Sequence, residues 1–113
     1  MAQVEITGSL FKEIEKKFKG EAHIVIDLLE SLETNPHKGK ELAQVNGILI
    51  KEIRYKSFRF YFIVDGYKIK VLDDAQLLNL LIKFIAMSDK KEQQETIEKV
   101  KAFLRSFGEE ALG

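Results

Sequence analysis

The chain has 113 residues, a length that suits one domain over residues 1–113, and 45% of them are hydrophobic, which is enough for a single core. No apolar run reaches the roughly 18 residues that a membrane span needs. Residues 1–6 lack the basic-then-apolar layout of a signal peptide, so we expect a cytoplasmic protein. The absence of cysteine excludes disulfides, thiolate metal sites and cysteine nucleophiles.

The formal net charge is +0, but the charges are distributed unevenly along the chain. Residues 46–72 have a net charge of +4, whereas the segments before and after them each carry −2. A basic surface on a neutral chain can concentrate a polyanion such as RNA at one place. Alternatively, the uneven distribution is the ordinary fluctuation of any charge-rich sequence. Composition alone does not distinguish a binding surface from such a fluctuation.

The N-terminal part predicts a short strand followed by a helical hairpin. Residues 1–6 alternate weakly, and Thr7 can cap a helix over residues 10–19, whose apolar positions recur at helical spacing. A second helix with one apolar stripe is predicted over residues 22–33. It ends at Asn35-Pro36, because a residue before proline avoids the helical region.

The middle of the chain predicts an antiparallel sheet. Residues 37–47 are predicted to be a loop, and residues 48–56 a strand whose apolar phase shifts, which a β-bulge would explain. Residues 58–64 form the clearest strand, because Phe58, Phe60, Phe62 and Val64 fall on one face and Arg59, Tyr61 and Ile63 on the other. Asp65-Gly66 is typical of a two-residue hairpin turn, which would return the chain as a strand over residues 67–72.

The last third predicts a helix, preceded by an element that fits either a helix or a strand. Residues 76–85 combine a polar stripe at helical spacing with a short leucine-rich run after the Asp73-Asp74 turn, so periodicity alone leaves helix and strand open. The final helix can be capped by Ser88 or Asp89, with Glu92 completing a capping box. Its apolar stripe contains Ile97, Val100, Leu104 and Phe107.

Four cations and two tyrosines on neighbouring strands form the candidate chemical site: Lys51, Arg54, Lys56, Arg59, Tyr55 and Tyr61. Neighbouring strands lie about 4.8 Å apart, so several of these cations can converge on one groove. RNA cleavage requires stabilisation of a charged phosphorane, a task that suits the bidentate guanidinium group. Tyrosine rings can stack on unpaired bases. The alternative is a solvated basic face without a ligand.

Other kinds of site have no support in the sequence. A Gly-rich phosphate loop, a nucleophile elbow and a zinc motif are all absent. The two histidines, His23 and His37, have no cluster of ligands around them in the sequence. We therefore expect no metal and no other cofactor.

Three segments resemble the RelE/ParE toxin superfamily, and its HigB-like branch in particular: "SLETNPHKGKEL", "KEIRYKSFRFYFIVDGYKIKVL" and "LLIKFIAMSDKKEQQETIEKVKAFL". The resemblance covers nearly the whole chain. It implies an α+β fold in which two N-terminal helices pack on a curled antiparallel sheet of about four to five strands, with a C-terminal helix. It also favours a strand over residues 77–84.

The resemblance implies the toxin of a type II toxin–antitoxin module, an mRNA interferase that cleaves mRNA in the ribosomal A site without a metal and so inhibits translation. Arg54 and Arg59 would stabilise the phosphate or the transition state, and Lys51 and Lys56 would supply charge or transfer protons. RNA or ribosome contacts would come from Lys83, Lys90, Lys91, Tyr55 and Tyr61. The partners would be the ribosome, mRNA and an antitoxin, whose acidic and apolar segment would lie along the sheet groove in a hetero-oligomer.

Two departures from the family pattern favour other functions. The chain is neutral where many relatives are strongly basic, and Ala86 stands where relatives tend to carry Arg or Lys, as a natural loss or as a deliberate substitution. A second hypothesis is therefore a non-catalytic homologue, or a ParE-like inhibitor that binds DNA gyrase. A third is an oligomerising scaffold, which would require Phe60 and Phe62 to be exposed.

Overall fold

The computed structural model describes residues 1–73 and 75–112. Their core element is a five-stranded sheet in the order β1-β5-β4-β3-β2. The strands are β1 (Gln3–Ile6), β2 (Lys40–Val45), β3 (Ile48–Tyr55), β4 (Phe58–Asp65) and β5 (Leu81–Asp89). Strand β1 is parallel to β5, and the other pairs are antiparallel. The α+β class is confirmed, and the sheet is mixed where a fully antiparallel one was expected.

Helices cover both faces of the sheet. They are α1 (Gly8–Phe18), α2 (Ala22–Glu30), α3 (Gly66–Val71) and α4 (Gln93–Phe107), with short 3₁₀ turns at Lys19–Glu21, Ser31–Glu33, Gln76–Asn79 and Gly108–Leu112. Each helix within residues 1–73 and 75–112 is too short or too polar to span a lipid bilayer.

The N-terminal helices form as the sequence predicts. The Thr7 hydroxyl caps α1 by accepting a hydrogen bond from the Leu10 N–H at 3.4 Å. The apolar stripes of α1 and α2 are buried against one face of the sheet, which we call the helical-hairpin face. Phe60 and Phe62 belong to this core and are both 0% exposed, which contradicts the scaffold hypothesis.

Helix α4 packs on the opposite face of the sheet, which we call the α4 face. Val100 and Leu104 form a second, smaller core there with Ile48, Ile50 and Ile63. The predicted stripe is wrong at its last position: Phe107 is 52% exposed and packs on the ring of Phe103 at 4.9 Å between centroids.

Strand β3 is buried on both faces, and this explains its irregular apolar pattern. Ile48 and Ile50 lie in the core of the α4 face, while Leu49 and Ile53 lie in the core of the other face. Its register with β4 runs without a shift, so the predicted bulge in this strand is wrong. The irregularity lies in β2, between Glu41 and Ala43.

The loop predicted over residues 37–47 contains a strand instead. Residues 40–45 form β2, and Asn46 and Gly47, with φ of 52° and 80°, make the tight turn into β3. Asn-Gly is the strongest short signal for a hairpin, because both positions tolerate positive φ.

The hairpin predicted at Asp65-Gly66 is wrong, and so is the strand over residues 67–72. The Asp65 carboxylate instead accepts hydrogen bonds from the N–H groups of Tyr67 and Lys68, at 2.9 and 3.0 Å, and so caps α3. Gly66 has no positive φ. Glycine is required there because a Cβ would lie 2.8 Å from the Gly47 carbonyl oxygen.

Strand β4 pairs with β5 on the side away from β3. Strand β5 is displaced from the strand expected over residues 77–84. It occupies Leu81–Asp89, and Gln76–Asn79 is a 3₁₀ turn. The register shifts between Tyr61 and Phe62, which pair with Ala86 and Phe84, so Ile85 is the extra residue of a bulge. Asp74 of the expected Asp73-Asp74 turn lies outside the described residues.

Candidate functional site

Two rows of side chains cross the three central strands on the α4 face. Because directly paired residues of an antiparallel sheet point to the same face, each row brings together one residue from β3, β4 and β5. We call them the polar rows: Arg54, Arg59 and Ser88 in the first, and Glu52, Tyr61 and Ala86 in the second. The second row borders the small core under α4, because Ala86 packs against that core. The polar end of this face is the candidate site.

Glu52 occupies the centre of this cluster. Its carboxylate oxygens lie 3.7 Å from Arg54 Nη2 and 3.7 Å from Arg59 Nε. The Glu52 side chain is 1% exposed and that of Arg59 is 7% exposed, whereas 56% of the Arg54 side chain is exposed. Only one of the two arginines is therefore presented to solvent.

Tyr61 and Ser88 form the second polar contact of the site. Their hydroxyl oxygens lie 2.7 Å apart, and the Ser88 hydroxyl also lies 2.9 Å from the Asp89 carbonyl oxygen. Burial raises the pKa of Tyr61, and the hydrogen bond with Ser88 opposes that effect. With its ring 0% exposed, Tyr61 supports the cluster from within and does not stack on bases.

The structure separates the cations that the sequence placed together. Lys51 lies on the helical-hairpin face, where its Nζ donates to the His37 carbonyl oxygen at 3.1 Å and sits 5.7 Å from the centre of the Phe62 ring. Burial lowers the pKa of Lys51, and the charge of Glu41 opposes this. Lys51 cannot share a groove with Arg54, so the predicted convergence of four cations is wrong.

Lys56 and Tyr55 are also directed away from the polar rows. Both donate to Glu21 Oε1, Lys56 Nζ at 2.7 Å and Tyr55 Oη at 2.8 Å. These hydrogen bonds, with that from Lys56 the larger effect, lower the pKa of Glu21, and the same carboxylate raises the pKa of both donors. The cluster ties the β3–β4 turn to the turn between α1 and α2.

The remaining predicted lysines lie on β5 or in the turn that follows it. Lys83 is on the α4 face, paired in register with Ile63, and its Nζ donates to the Ala111 carbonyl oxygen at 3.2 Å. Lys90 and Lys91 are exposed in the turn that follows β5. Since β5 ends beside the first polar row, these two lysines extend the basic surface beyond Ser88.

Ala86 lines a cavity of about 320 Å³ between β5 and α4. Val100 and Phe103 supply apolar walls, and Lys83 and Thr96 supply polar groups. The space beside the small Ala86 side chain is large enough for a long side chain. A larger residue at this position could therefore extend into the cavity beside Lys83 and Thr96.

Sequence reasoning missed Glu52 and Ser88. Glu52 lies two positions before Arg54, and in a strand this spacing places both side chains on one face. That signal was present in the sequence. Ser88 was assigned to a helix cap, because the strand was expected to end before it, and the structure places it in β5 instead.

Metal chemistry has no support in the described part of the chain. No group of three or more His, Asp or Glu side chains there could hold a metal ion. Both His23 and His37 are exposed and lie outside the sheet.

Comparison of the chain with protein-family models, with curated proteins and with solved structures finds no match. No family is assigned by these comparisons. The resemblance to RelE/ParE toxins rests on the sequence segments quoted above, and the function that it implies stays a proposal.

Proposed function

We propose that this chain is the toxin of a type II toxin–antitoxin module, a cytoplasmic protein that acts on mRNA at the ribosome. The observation that carries the proposal is the arrangement of the polar rows. Arg54, Arg59, Tyr61 and Ala86 come from three different strands, and all four positions lie on one face. These are positions to which the resemblance assigns RNA binding or chemistry.

The exposed member of the set is the phosphate contact. Arg54 presents 56% of its side chain, and a guanidinium group offers a planar, permanently charged donor edge to a phosphate. Lys90 and Lys91 add charge beside the same end of the sheet. Arg59, which is 6% exposed, does not contact the phosphate but neutralises the charge of Glu52 beneath Arg54.

The antitoxin would bind the same face. An acidic segment would pair with Arg54 and the exposed lysines, and apolar side chains would enter the cavity beside Ala86. Binding there would cover the RNA contacts, so one surface would account for both activity and inhibition. Charge reversal at Arg54 is expected to weaken both complexes.

A second candidate, the non-catalytic homologue, is favoured by the same geometry. Within the polar rows, Ala86 carries no proton-bearing group, Tyr61 is buried and hydrogen-bonded, and Arg59 is paired. A site of this composition binds phosphate but lacks an accessible general acid or base. The ParE-like version, which would inhibit DNA gyrase, belongs to this candidate.

The experiment that separates the candidates is reporter mRNA cleavage in a reconstituted translation mixture, with the 5′ ends mapped. The chain and the Ala86→Arg variant are compared, with and without translation. Cuts at A-site codons that require translating ribosomes support the nuclease, and cuts from the Ala86→Arg variant alone place position 86 in the active site. If both proteins are folded and neither cuts the mRNA, the nuclease hypothesis is refuted. Inhibition of DNA gyrase supercoiling would then support the ParE-like function.

A further inference from the structure

The ion pairs around Glu52 are made without hydrogen bonds. Both contacts with the arginines are 3.7 Å long, beyond the 2.7–3.2 Å range of an N–H···O bond. Both Glu52 carboxylate oxygens and Arg59 Nε are buried and have no hydrogen-bond partner among the described residues. Buried charged groups normally satisfy their donors and acceptors, so this cluster is under-satisfied.

The charge of the cluster is small for a polyanion site. Two guanidinium groups and one carboxylate leave a single positive charge, and Glu52, 2% exposed, is the least accessible of the three residues. Since Glu52 lies within the reach of both guanidinium groups, it competes with any anion that approaches Arg54. One phosphodiester group, with one negative charge, balances what remains.

We propose that Glu52 is an internal counter-ion that lowers the affinity of Arg54 for a phosphodiester group of single-stranded RNA. This rests on the proposed function, in which Arg54 contacts RNA. Arg59 holds the Glu52 carboxylate in place from the buried side. Such a site binds RNA weakly by itself and depends on a further surface, such as the ribosome, for stable engagement.

The test is the affinity of the chain for a labelled single-stranded RNA oligonucleotide, measured by fluorescence anisotropy over a range of salt concentrations. Glu52→Gln preserves the shape of the side chain and removes its charge. It is expected to tighten binding about tenfold at low salt and to increase the salt dependence by about one ion equivalent. Inorganic phosphate and a DNA oligonucleotide of the same sequence, added as competitors, distinguish a phosphate site from an RNA site.

Glu41→Gln is the matched control. Glu41 pairs in register with Lys51, on the helical-hairpin face, and its side chain is 51% exposed. The substitution changes the net charge by the same amount, on the face of the sheet opposite to Arg54, so binding is expected to change by less than about twofold. An equal gain in both variants would show a general charge effect and overturn the proposal.

A second variant keeps the test open if Glu52→Gln fails to fold. Glu52→Gln combined with Arg59→Gln replaces the buried ion pair with two amides, at unchanged net charge. It is expected to bind RNA at least as tightly as the unmodified chain, since Arg54 is released. Loss of binding would make Arg59 a direct contact and refute the counter-ion role.

Arg54→Glu distinguishes a failure of the counter-ion role of Glu52 from a failure of RNA binding at Arg54. If this variant loses RNA binding while Glu52→Gln binds like the unmodified chain, only the counter-ion role is wrong. If Arg54→Glu binds RNA as well as the unmodified chain, the polar rows are not the RNA site, and both proposals fail.

Discussion

Removal of the Tyr61 hydroxyl tests the hydrogen bond that joins β4 to β5 at the polar rows. In Tyr61→Phe the 2.7 Å contact with the Ser88 hydroxyl is lost. A hydrogen bond of this kind contributes about 1 kcal/mol net. The Ser88 hydroxyl keeps its contact with the Asp89 carbonyl oxygen, so it is not left unpaired. We expect a loss of about 1 kcal/mol in the free energy of unfolding, or about 4 °C in Tm.

The assay is urea unfolding of Tyr61→Phe, Ser88→Ala and the double variant. The double-mutant cycle isolates the contact between the two hydroxyl groups. We expect a coupling energy of about 1 kcal/mol, with m values unchanged. A coupling within about 0.3 kcal/mol of zero would refute the inference that this hydrogen bond stabilises the sheet. In an active variant, Tyr61→Phe should leave the cleavage rate unchanged, because the buried hydroxyl is not offered to substrate.

Three further predictions concern the residues that hold the sheet. Burial lowers the pKa of Lys51 below its ordinary value of 10.5, so the unfolded chain binds the proton more tightly than the folded chain. The free energy of unfolding, relative to that of Lys51→Met, should therefore rise as the pH increases toward 10.5. Urea unfolding of both proteins over this pH range measures the difference, and a fall would contradict the burial of Lys51. Gly66→Ala places a Cβ 2.8 Å from the Gly47 carbonyl oxygen and should cost about 1–3 kcal/mol, whereas Gly8→Ala meets nothing within 4 Å and should be nearly neutral in thermal unfolding. Asp65→Ala removes the cap of α3 and should cost about 1 kcal/mol in urea unfolding, while an unchanged midpoint would show that the cap contributes nothing.

Helix α1 and strand β4 are predicted well, for different reasons. Helix α1 has one buried stripe, which contains Leu10 and Ile14 among charged residues. Strand β4 is buried on both faces, and its run of aromatic and β-branched residues between turn signals is typical of a strand. Strand β3 is also buried on both faces, so alternation is a weak signal there. The leucine-rich run before β5 fits the period of a helix as well as that of a strand. The strand expected over residues 77–84 was therefore displaced by a few residues from the observed β5.

The error at Asp65-Gly66 has a different cause. The same two residues suit a hairpin turn and a helix cap, and the choice depends on tertiary contacts. Gly66 donates its N–H to the Gly47 carbonyl oxygen at 2.9 Å, a contact with the preceding hairpin. That contact joins residues far apart in sequence, so local patterns could not reveal it.

The candidate site was predicted in part. Placing Arg59 and Tyr61 on one face followed from the period of a strand, and that placement is confirmed. The pairing of Arg59 with Glu52, and the orientation of Lys51 to the opposite face, depend on the register between strands. Charge counting treated all basic residues of the segment alike, and the structure shows that most of them are already engaged by protein groups.

The central claim is that Arg54, on the α4 face, contacts RNA. The most direct test is to measure binding of the chain to ribosomes that carry an mRNA and have an empty A site. Co-sedimentation compares Arg54→Glu with Arg105→Glu, which makes the same charge change at an exposed position of α4. We expect Arg54→Glu to weaken binding by about tenfold or more, and Arg105→Glu by less than about twofold. Equal binding by both variants, each shown to be folded, would contradict the account.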